Sequence, residues 1–595
     1  MQPVAQRLAA VRAVMAQRGY AALIVPRADE YLGEYIPAHR ERLRWLTGFS
    51  GSAGLAVVLP RRAGIFVDGR YTAQVRSQVS AELFDYCHLI DEPPAAWLLQ
   101  RLSAGAQVAC DPRLHTLHWY RETRSTLAAD GIELVADSDN LVDCCWRDRP
   151  APVVRSALLL DERCSGESSR DKRRRVASEI AARGADASLV FAPDAVSWLL
   201  NLRGRDVPRL PVLQCCAVLH SDAQLTLLVD PARVPEGLAA HVGEGVRVLP
   251  EAATAEVFAA CRGRTVLADP HSANAWTQML LEQCGATLLA ADDPVLLPKA
   301  CKNAVELAGT RRAHVRDAVA VVRFLAWLDA EVAAGRLHDE AVLADRLYEL
   351  RAAGEHFHDL SFDTISAAGA NAAMCHYNHL NAVPAPLTMD SVYLVDSGAQ
   401  YTDGTTDITR TVAIGDPGEA VRRMFTLVLK GHIALARARF PPGTTGTQLD
   451  ALARQFLWRE GCDYDHGTGH GVGVFLSVHE GPQRISKVPS DVALRPGMIV
   501  SNEPGYYRDG AYGMRCENLV AVREVAIEGA YRPMLEFETL TLVPFDGRLL
   551  ELSLLGADEL AWLNDYHRRV AERIGPLLAG AELAWLQRAA QPLPV

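Results

Sequence analysis

The fold of this chain is decided by the stretch Asp396-Ser397-Gly398-Ala399-Gln400-Tyr401-Thr402-Asp403-Gly404-Thr405-Thr406-Asp407. The apolar runs 392–395 and 408–412 on either side of it each predict a strand. The turn at Asp403-Gly404 lets these strands fold back on each other, which brings Asp396 and Asp407 close together. Two neighbouring carboxylates raise each other's pKa or call for a cation. The stretch therefore predicts a metal-binding hairpin, with a plain solvated hairpin as the alternative.

The composition is that of a globular chain that does not attract polyanions. Its 595 residues suffice for roughly four domain-sized units; 49% are hydrophobic, 22% are charged and the net charge is -11. Such a chain has no field that would gather nucleic acid or an anionic membrane surface. Near the N-terminus, Arg7, Arg12 and Arg18 interrupt the apolar positions, which predicts an amphipathic helix rather than a signal peptide. No apolar run is long enough to span a membrane. We therefore expect a cytoplasmic protein that binds neither nucleic acid nor membrane.

The cysteines indicate a reducing compartment. There are thirteen, an odd number, and their spacing does not resemble that of a metal site. Cys144-Cys145 and Cys215-Cys216 are neighbours too close for an easy disulfide. We expect reduced, mostly buried thiols, as in a cytoplasm.

An internal repeat organises the first half of the chain. A helical pattern from Arg7 is followed by apolar runs at 19–26, 43–48, 54–59 and 64–68, and a second helical pattern near Lys172 is followed by runs at 184–191, 196–201, 216–219 and 225–230. Helices that alternate with strands, in the same order twice, predict two α/β domains of one architecture. Neither copy holds a cluster of metal-binding or nucleophilic residues, so we interpret both as packing and positioning domains.

The second half begins with a long helix and ends with a short helical tail. Apolar residues recur at helical spacing from Asn303 to Ala334, and two further helical patterns occupy the last 45 residues. We predict an α/β chain with domains at 1–150, 151–298 and 299–545 and a C-terminal helical tail at 546–595. The tail is expected to pack on the third domain or on a partner subunit.

Three more ligand-type residues follow the hairpin in the third domain. His470 lies in Gly467-Thr468-Gly469-His470-Gly471-Val472-Gly473, Glu503 in Ser501-Asn502-Glu503-Pro504-Gly505 and Glu517 in Met514-Arg515-Cys516-Glu517-Asn518. The glycine-rich run lacks the Lys-Ser/Thr of a phosphate loop. We expect its glycines to let the backbone and a substrate approach the imidazole. Taken alone, a loop histidine is more often an ordinary polar residue.

These residues together resemble a known family. Asp396, Asp407, His470, Glu503 and Glu517, in that order, are similar to the ligand set of the dinuclear metallopeptidases with the "pita-bread" fold, which include methionine aminopeptidases, prolidases and aminopeptidase P. The surrounding sequence, including His479-Glu480-Gly481-Pro482 and Pro298-Lys299-Ala300-Cys301-Lys302-Asn303, resembles the three-domain cytosolic Xaa-Pro aminopeptidases over essentially the whole chain. In that family the first two domains resemble the N-terminal domain of creatinase, which agrees with the repeat.

The resemblance implies two divalent metal ions per subunit. It implies that Asp396 holds one ion, that His470 and Glu503 hold or orient the other, and that Asp407 and Glu517 bridge the pair. Four carboxylates and one imidazole favour Mn²⁺, with Co²⁺ as a substitute. A hydroxide shared by the two metals would attack the scissile carbonyl while Glu503 takes its proton.

Further catalytic residues are also implied by the resemblance. His376, His466 and His479 match family positions for substrate contact and proton transfer, and Arg515 matches an arginine near the metals. Tyr507 is a further candidate. For the histidines the alternative is a structural role, and for Arg515 a surface position.

We therefore expect an aminopeptidase that removes the residue preceding proline from peptides. Proline has no N–H and a restricted ring, so many peptidases reject it. A prolidase acting on Xaa-Pro dipeptides is the first alternative, and a pita-bread binding module without catalysis is the second. Creatinase-like chemistry without metal is disfavoured because all five ligand residues are present. The family also suggests a homodimer.

Overall fold

The computed structural model describes residues 2–594, which form two compact units. The first unit runs to Asp161 and resumes over Glu167–Leu296, and the second consists of Glu162–Gly166 and the chain from Leu297 onward. Within residues 2–594, none of the helices is both long and apolar enough to cross a lipid bilayer.

The first unit begins with a six-stranded sheet. Its strands are β1 Ala22–Pro26, β2 Leu55–Val58, β3 Ala63–Val67, β4 Asp85–His88, β5 Gln107–Cys110 and β6 Glu133–Ala136, and its helices are α1 Val4–Arg18, α2 Arg42–Thr47, α3 Thr72–Gln78, α4 Pro94–Leu99, α5 Leu117–Ala128 and α6 Leu141–Cys145. The strand order is β4-β3-β2-β1-β5-β6, with β1–β2 and β2–β3 antiparallel and the other pairs parallel.

The same topology then occurs again. The elements are β7 Leu158–Leu159, β8 Ala187–Val190, β9 Leu202–Arg203, β10 Cys216–His220, β11 Leu225–Leu228, β12 Val246–Leu249, β13 Thr265–Ala268 and β14 Thr287–Ala290, with α8 Ser169–Ala182, α9 Pro193–Leu199, α10 Leu238–Val242, α11 Thr254–Ala259 and α12 Ala275–Gln283. The short helix α7 Glu162–Ser165 follows β7 in the chain but belongs to the second unit. The sheet order β12-β11-β10-β8-β13-β14 repeats the first, again with two antiparallel pairs and three parallel ones. The predicted repeat of α/β architecture is confirmed.

The second unit contains the remaining elements. Its helices are α13 Leu296–Ala300, α14 Ala304–Ala333, α15 Glu340–Ala352, α16 Glu419–Ala436, α17 Gly446–Trp458, α18 Ala557–Ile574 and α19 Gly580–Ala589. Its strands are β15 Phe357–Leu360, β16 Ile365–Ala368, β17 Ser391–Ser397, β18 Ala399–Tyr401, β19 Gly404–Thr405, β20 Ile408–Ile414, β21 Arg439–Phe440, β22 Gly469–Gly471, β23 Glu480–Ile485, β24 Ile499–Asn502, β25 Gly505–Arg508, β26 Tyr512–Arg515, β27 Asn518–Val525 and β28 Met534–Thr539.

Two sheets of this unit matter for the site. One has the order β16-β17-β20 and the other has the order β21-β28-β27-β24-β22-β23. The long helix α14 begins where the sequence predicts, because Asn303 caps it and Glu306 completes a capping box. Its buried face, with residues such as Val321 and Leu325, packs in one core with β17, β20 and α16. The two predicted strands beside the acidic stretch, β17 and β20, therefore contribute to one large hydrophobic core of the second unit.

The helical tail packs on the second unit, as one of the two predicted arrangements requires. Trp585 in α19 donates from its Nε1 to Asp329 Oδ2 of α14 at 2.7 Å. Tyr566 in α18 is fully buried, and its hydroxyl accepts a hydrogen bond from Arg410. The C-terminal segment is thus part of this unit's core.

The cysteines correct one expectation. All thirteen are free thiols, but only five are buried, seven are partly buried and Cys144 is exposed. The prediction that most are buried is wrong because several lie on the outer turns of short helices, as Cys144 does in α6.

Candidate metal centre

The five predicted ligand residues lie at or near the ends of neighbouring strands. Asp396 belongs to β17, and Asp407 immediately precedes β20, the antiparallel partner of β17. His470 is the middle residue of β22, Glu503 follows β24 and Glu517 precedes β27. Because β22, β24 and β27 are adjacent in the larger sheet, the last three residues reach one edge of it. The structure therefore brings all five together.

His470 is oriented by the backbone. Its Nδ1 lies 3.0 Å from the carbonyl oxygen of Gly471, which can only accept, so Nδ1 carries a proton. Its Nε2 lies 3.5 Å from Asp407 Oδ2 and 3.4 Å from Glu503 Oε1. One ligand atom each from Asp407, His470 and Glu517 lies within 4.8 Å of the other two. A backbone acceptor on one nitrogen and carboxylates around the other is the arrangement of a metal-binding imidazole.

The electrostatics of the cluster favour added positive charge. Burial raises the pKa of Asp396 to about 7, raises that of Glu503, and raises that of Glu517 well above its usual range. Although burial alone lowers the pKa of His470, its neighbours Asp407 and Glu503 raise it to about 9. Asp396 Oδ1 is buried and has no hydrogen-bond partner among residues 2–594. An oxygen-rich cluster with an unsatisfied carboxylate oxygen fits hard divalent cations, which supply the charge that protons would otherwise provide.

Arg515 joins the two sides of the cluster. This buried guanidinium donates from Nη2 to Asp396 Oδ2 at 2.5 Å, from Nε to Thr409 Oγ1 at 3.0 Å and from Nη1 to the Tyr507 hydroxyl at 2.6 Å. Thr409 in turn donates to Glu517 Oε2 at 2.6 Å. The alternative of a surface arginine is thereby excluded. Arg515 instead fixes the orientation of one carboxylate directly and of a second one through a hydroxyl.

His466 continues this chain of hydrogen bonds. Its Nδ1 lies 2.8 Å from the carbonyl oxygen of Gly467, so Nδ1 donates and Nε2 accepts the hydrogen bond from Tyr507 at 2.8 Å. The same Nδ1 lies 3.9 Å from Glu503 Oε2. Tyr507 therefore connects Arg515 to His466, and its inclusion among the site candidates agrees with this geometry.

The two other predicted histidines are arranged differently. The ring of His479 is exposed and meets the ring of His470 edge-on, with centroids 4.4 Å apart. His376 is half-buried in the loop between β16 and β17, and the residue before it, Cys375, accepts a weak hydrogen bond from Arg515 at 3.4 Å. Both histidines belong to segments that border the cluster.

The loop that carries His376 is fastened by a buried carboxylate. Glu340, the first residue of α15, accepts from the Ala368 amide at 2.8 Å, from Asn371 at 2.9 Å, from the Tyr377 hydroxyl at 2.7 Å and from the Ala385 amide at 2.9 Å. Four donors therefore share one side chain that is wholly shielded from solvent. Both ends of the loop are held to α15 in this way.

The glycines around His470 serve strand packing. A Cβ on Gly469 would lie 2.0 Å from the Ser501 carbonyl oxygen of β24, and a Cβ on Gly471 would lie 2.2 Å from the Glu480 carbonyl oxygen of β23. Only glycine permits strands this close. The expected close approach is therefore that of the neighbouring strands, whereas the approach of a substrate stays a prediction.

Two supporting residues escaped the sequence reasoning. Thr409 links Arg515 to Glu517, and Ser501 accepts from the His470 amide at 3.0 Å while donating to Glu503 Oε1 at 3.1 Å. Thr409 could have been found, because side chains alternate along a strand and residue 409 shares a face with residue 407. Ser501 stands in the same relation to Glu503.

Clustered carboxylates and one oriented imidazole at the ends of neighbouring strands fit the metal centre of a metallohydrolase. Models of known protein families match nearly the whole chain and agree with this assignment. The matches are "Creatinase/Prolidase N-terminal domain" at residues 7–145 and again at 148–306, "Metallopeptidase family M24" at 308–524 and "C-terminal region of peptidase_M24" at 533–593.

Full-length relatives are similar as well. A probable Xaa-Pro aminopeptidase P of Aspergillus fumigatus is 37% identical, over 99% of this chain and 92% of the relative. Another from Tuber melanosporum is 38% identical, over 99% of both chains. The crystal structure of the X-prolyl aminopeptidase from Caenorhabditis elegans, described as a cytosolic enzyme with a di-nuclear active site, superposes with a TM-score of 0.95 at 34% identity over 100% of both chains. The chain belongs to metallopeptidase family M24, in the aminopeptidase P group.

Proposed function

We propose that the chain is a metal-dependent aminopeptidase that hydrolyses the bond between an N-terminal residue and a following proline in peptides. The observation that carries the proposal is the cluster of Asp407, His470 and Glu517, whose ligand atoms all lie within 4.8 Å of one another. The cluster lies within a chain that is similar over its full length to Xaa-Pro aminopeptidases. The buried carboxylates explain why a metal is needed, and the similarity supports the choice of substrate.

The cofactor we propose is a pair of divalent ions. Asp396, Asp407, His470, Glu503 and Glu517 would hold them. When bound, such ions lower the pKa of a water and polarise a carbonyl oxygen. Four carboxylates against one imidazole favour Mn²⁺ over softer ions, and Co²⁺ is expected to substitute.

The protein residues then divide the remaining work. Glu503 is the proposed general base, because burial raises its pKa and its side chain is still partly open to water. Ser501 holds one oxygen of Glu503 while the other faces His466. His466, His479 and His376 are the proposed groups for proton transfer and substrate contact.

Arg515 and Tyr507 have positioning roles in this proposal. Arg515 opposes the effect of burial on the pKa of Asp396 and orients that carboxylate, and its hydrogen bond to Tyr507 fixes the hydroxyl that donates to His466. Peptide hydrolysis requires a protonated leaving nitrogen and a stabilised oxyanion. The three histidines named above are the groups proposed for these two tasks.

Several further expectations form part of the proposal. The domain boundaries at 150, 298 and 545, the homodimer and a cytoplasmic location are proposed from the sequence and the family resemblance. The C. elegans enzyme is described as cytosolic, which supports the last of these. The substrate is a peptide with proline at its second position, without nucleic acid or membrane as partner.

The test compares four peptides on protein loaded with Mn²⁺. An Xaa-Pro-Yaa tripeptide should be cut after Xaa, the N-acetylated peptide should resist because an aminopeptidase needs a free amino group, and an Ala-for-Pro peptide should react much more slowly. A free Xaa-Pro dipeptide distinguishes the alternatives. Rapid hydrolysis of the dipeptide alone would identify a prolidase, since that activity needs a closed cleft and a cation for the proline carboxylate. No hydrolysis of any peptide, with two metals measured per chain, would identify a binding module.

A further inference from the structure

Arg410 on β20 is a buried cation that has no carboxylate partner. It is 2% exposed, and every group that accepts from it among residues 2–594 is a neutral oxygen. A buried charge without an ion-pair partner is unfavourable, because the hydration that it loses is not replaced by an opposite charge. Burial accordingly lowers the pKa of Arg410. The presence of this cation therefore requires an explanation other than charge pairing.

The guanidinium group joins several segments of the second unit. Nη1 donates to the carbonyl oxygen of Thr409 at 2.8 Å and to that of Glu517 at 2.6 Å. The remaining acceptors are two carbonyl oxygens and two side-chain oxygens, which belong to Val543, Pro544, Asn518 and Tyr566. Five N–H groups in one plane can serve this many acceptors, whereas a single ammonium group cannot. Arg410 thus connects β20, the start of β27, the segment 543–544 and α18.

The two hydrogen bonds of Nη1 lie where two sheets meet, since β20 and β27 belong to different sheets. There the Glu517 amide donates to the Thr409 carbonyl oxygen over a long 3.4 Å, and the Thr409 hydroxyl donates to Glu517 Oε2 at 2.6 Å. The hydroxyl orients the carboxylate, whereas Nη1 binds the main chain of both residues. Asp407 lies two residues before Thr409. The two proposed bridging ligands, Asp407 and Glu517, therefore lie on the two segments that Arg410 joins.

Asn518 extends these contacts to the segment of a third proposed ligand. Its Oδ1 accepts from Arg410 Nη2 at 2.8 Å. His432 Nδ1 lies 3.0 Å from the carbonyl oxygen of Asn502, so Nδ1 donates there and Nε2 accepts from Asn518 Nδ2 at 3.2 Å. Asn502 directly precedes Glu503, and its Nδ2 donates to the carbonyl oxygen of His432 at 2.9 Å. A buried polar network therefore reaches from Arg410 to the end of β24.

We propose that Arg410 is a positioning residue that sets the spacing between the segments of Asp407 and Glu517, and thereby the affinity of the site for its metal ions. The inference rests on the proposed function, because these two residues are its bridging ligands. A bridging carboxylate must reach both ions at once, so a shift of either segment weakens the binding of both. Groups that hold metal ligands in place through hydrogen bonds typically contribute about 10–100-fold to metal affinity.

The first test removes the guanidinium group in two ways. Arg410→Met removes the charge together with the hydrogen bonds, and Arg410→Lys keeps the charge but not the planar set of donors. Calorimetric titration of chelator-stripped protein should show Mn²⁺ binding about 10–100-fold more weakly to either variant than to the wild type. At saturating Mn²⁺, kcat for an Xaa-Pro-Yaa peptide should fall while KM changes less than about threefold.

Arg173→Met and Arg173→Lys are the matched controls. Arg173 in the first unit is also 2% exposed, burial also lowers its pKa, and among residues 2–594 it donates only to carbonyl oxygens. Its loss should lower Tm and leave Mn²⁺ affinity unchanged. Wild-type Mn²⁺ affinity in a folded Arg410 variant would overturn the proposal. Circular dichroism showing that both Arg410 variants are unfolded while the controls fold would overturn it too, since Arg410 would then serve the fold as a whole.

The second test asks whether Arg410 acts through Glu517. Glu517→Gln is made in the wild-type chain and in the folded Arg410 variant. The fold-loss of Mn²⁺ affinity caused by the Arg410 substitution should be much smaller once residue 517 is no longer a carboxylate. Equal fold-losses in both backgrounds would overturn the positioning role while leaving the proposed function intact. A wild-type chain that binds no Mn²⁺ and cleaves no peptide would instead remove the proposed function, and the inference with it.

Discussion

Arg515 Nη2 lies 2.5 Å from Asp396 Oδ2, although the two residues are 119 positions apart in the chain. The pair joins two different sheets, since Asp396 belongs to β17 and Arg515 ends β26, which forms a separate two-stranded sheet with β25. The other nitrogens of the guanidinium contact Thr409 and Tyr507. One planar cation therefore sets the relative position of three groups around the proposed metals. A side chain with a single ammonium group cannot do this.

Arg515→Lys tests whether the several contacts of the guanidinium group are needed. The ammonium can replace one hydrogen bond but not three, so we expect about 10–100-fold weaker metal binding or activity. Metal titration and peptide hydrolysis measure the two effects. Arg508→Lys, at an exposed position of the neighbouring strand β25, is the control and should behave like the wild type. Wild-type metal affinity and activity in Arg515→Lys would contradict the positioning role of the Arg515 guanidinium.

Asp407→Asn tests the proposed bridging ligand. Removal of one negative charge from a cluster that must hold two cations should cost most of the bound metal and of the activity, while the fold is kept. Metal content per chain is measured by elemental analysis and the fold by circular dichroism. Asp416→Asn, an exposed acid beyond β20, is the control. Two bound metals with full activity in Asp407→Asn would rule out the ligand assignment.

His466→Ala tests a proposed proton-transfer residue whose Nδ1 lies 3.9 Å from Glu503 Oε2. If the imidazole acts in the transition state, kcat should fall by about 10²–10⁴ while metal content is unchanged. Tyr507→Phe should have a smaller effect in the same direction, because it removes only the hydroxyl that donates to His466. A loss of metal from His466→Ala would show instead that the residue supports the ligands.

Much of this site follows from the sequence because its ligand residues lie in short local patterns. The strands around Asp396 and Asp407 were predictable from their apolar and β-branched runs, and so was α14 from its spacing and its Asn303 cap. Local pattern indicates which residue types lie at strand ends. It does not give distances between segments far apart in the chain.

What the sequence could not give is the set of contacts across the two sheets. The hydrogen bonds of Arg515 to Asp396 and Thr409 depend on how β26 lies against β17 and β20, whereas its bond to Tyr507 lies within the β25–β26 hairpin. Lys299 and Lys302, whose ammonium groups contact Glu480, lie about 180 positions earlier in the chain, a pairing that no local period encodes.

Glu340→Gln tests the carboxylate that fastens the His376 loop. The carboxylate accepts four hydrogen bonds, whereas the amide of Gln would turn an NH₂ group toward donors. Each buried donor left without an acceptor costs about 1–3 kcal/mol. We expect faster hydrogen exchange in residues 368–385 and an earlier urea transition. Glu349→Gln, exposed on the same helix, is the control, and unchanged exchange in the Glu340 variant would refute the role.

The last prediction concerns pH and removal of metal by a chelator. In the stripped protein, burial raises the pKa of Asp396 from 3.8 to about 7, and the neighbours Asp407 and Glu503, acting against burial, raise that of His470 from 6.5 to about 9. Both groups bind a proton more tightly when folded. Their contribution to the free energy of unfolding is therefore present at low pH and is lost as pH rises, for Asp396 between about 4 and 7 and for His470 between about 6.5 and 9.

Bound metal should cancel this loss, because its ligands are deprotonated throughout the range. The difference in Tm between Mn²⁺-loaded and chelated protein is therefore expected to widen as pH is raised from 5 to 9. Scanning calorimetry of both forms in matched buffers measures it, and groups outside the site cancel in the difference. Asp407→Asn serves as the internal control, since weak metal binding should make its two curves nearly coincide. A Tm difference that narrows with rising pH would show that the buried carboxylates and His470 are not what the metal ions neutralise.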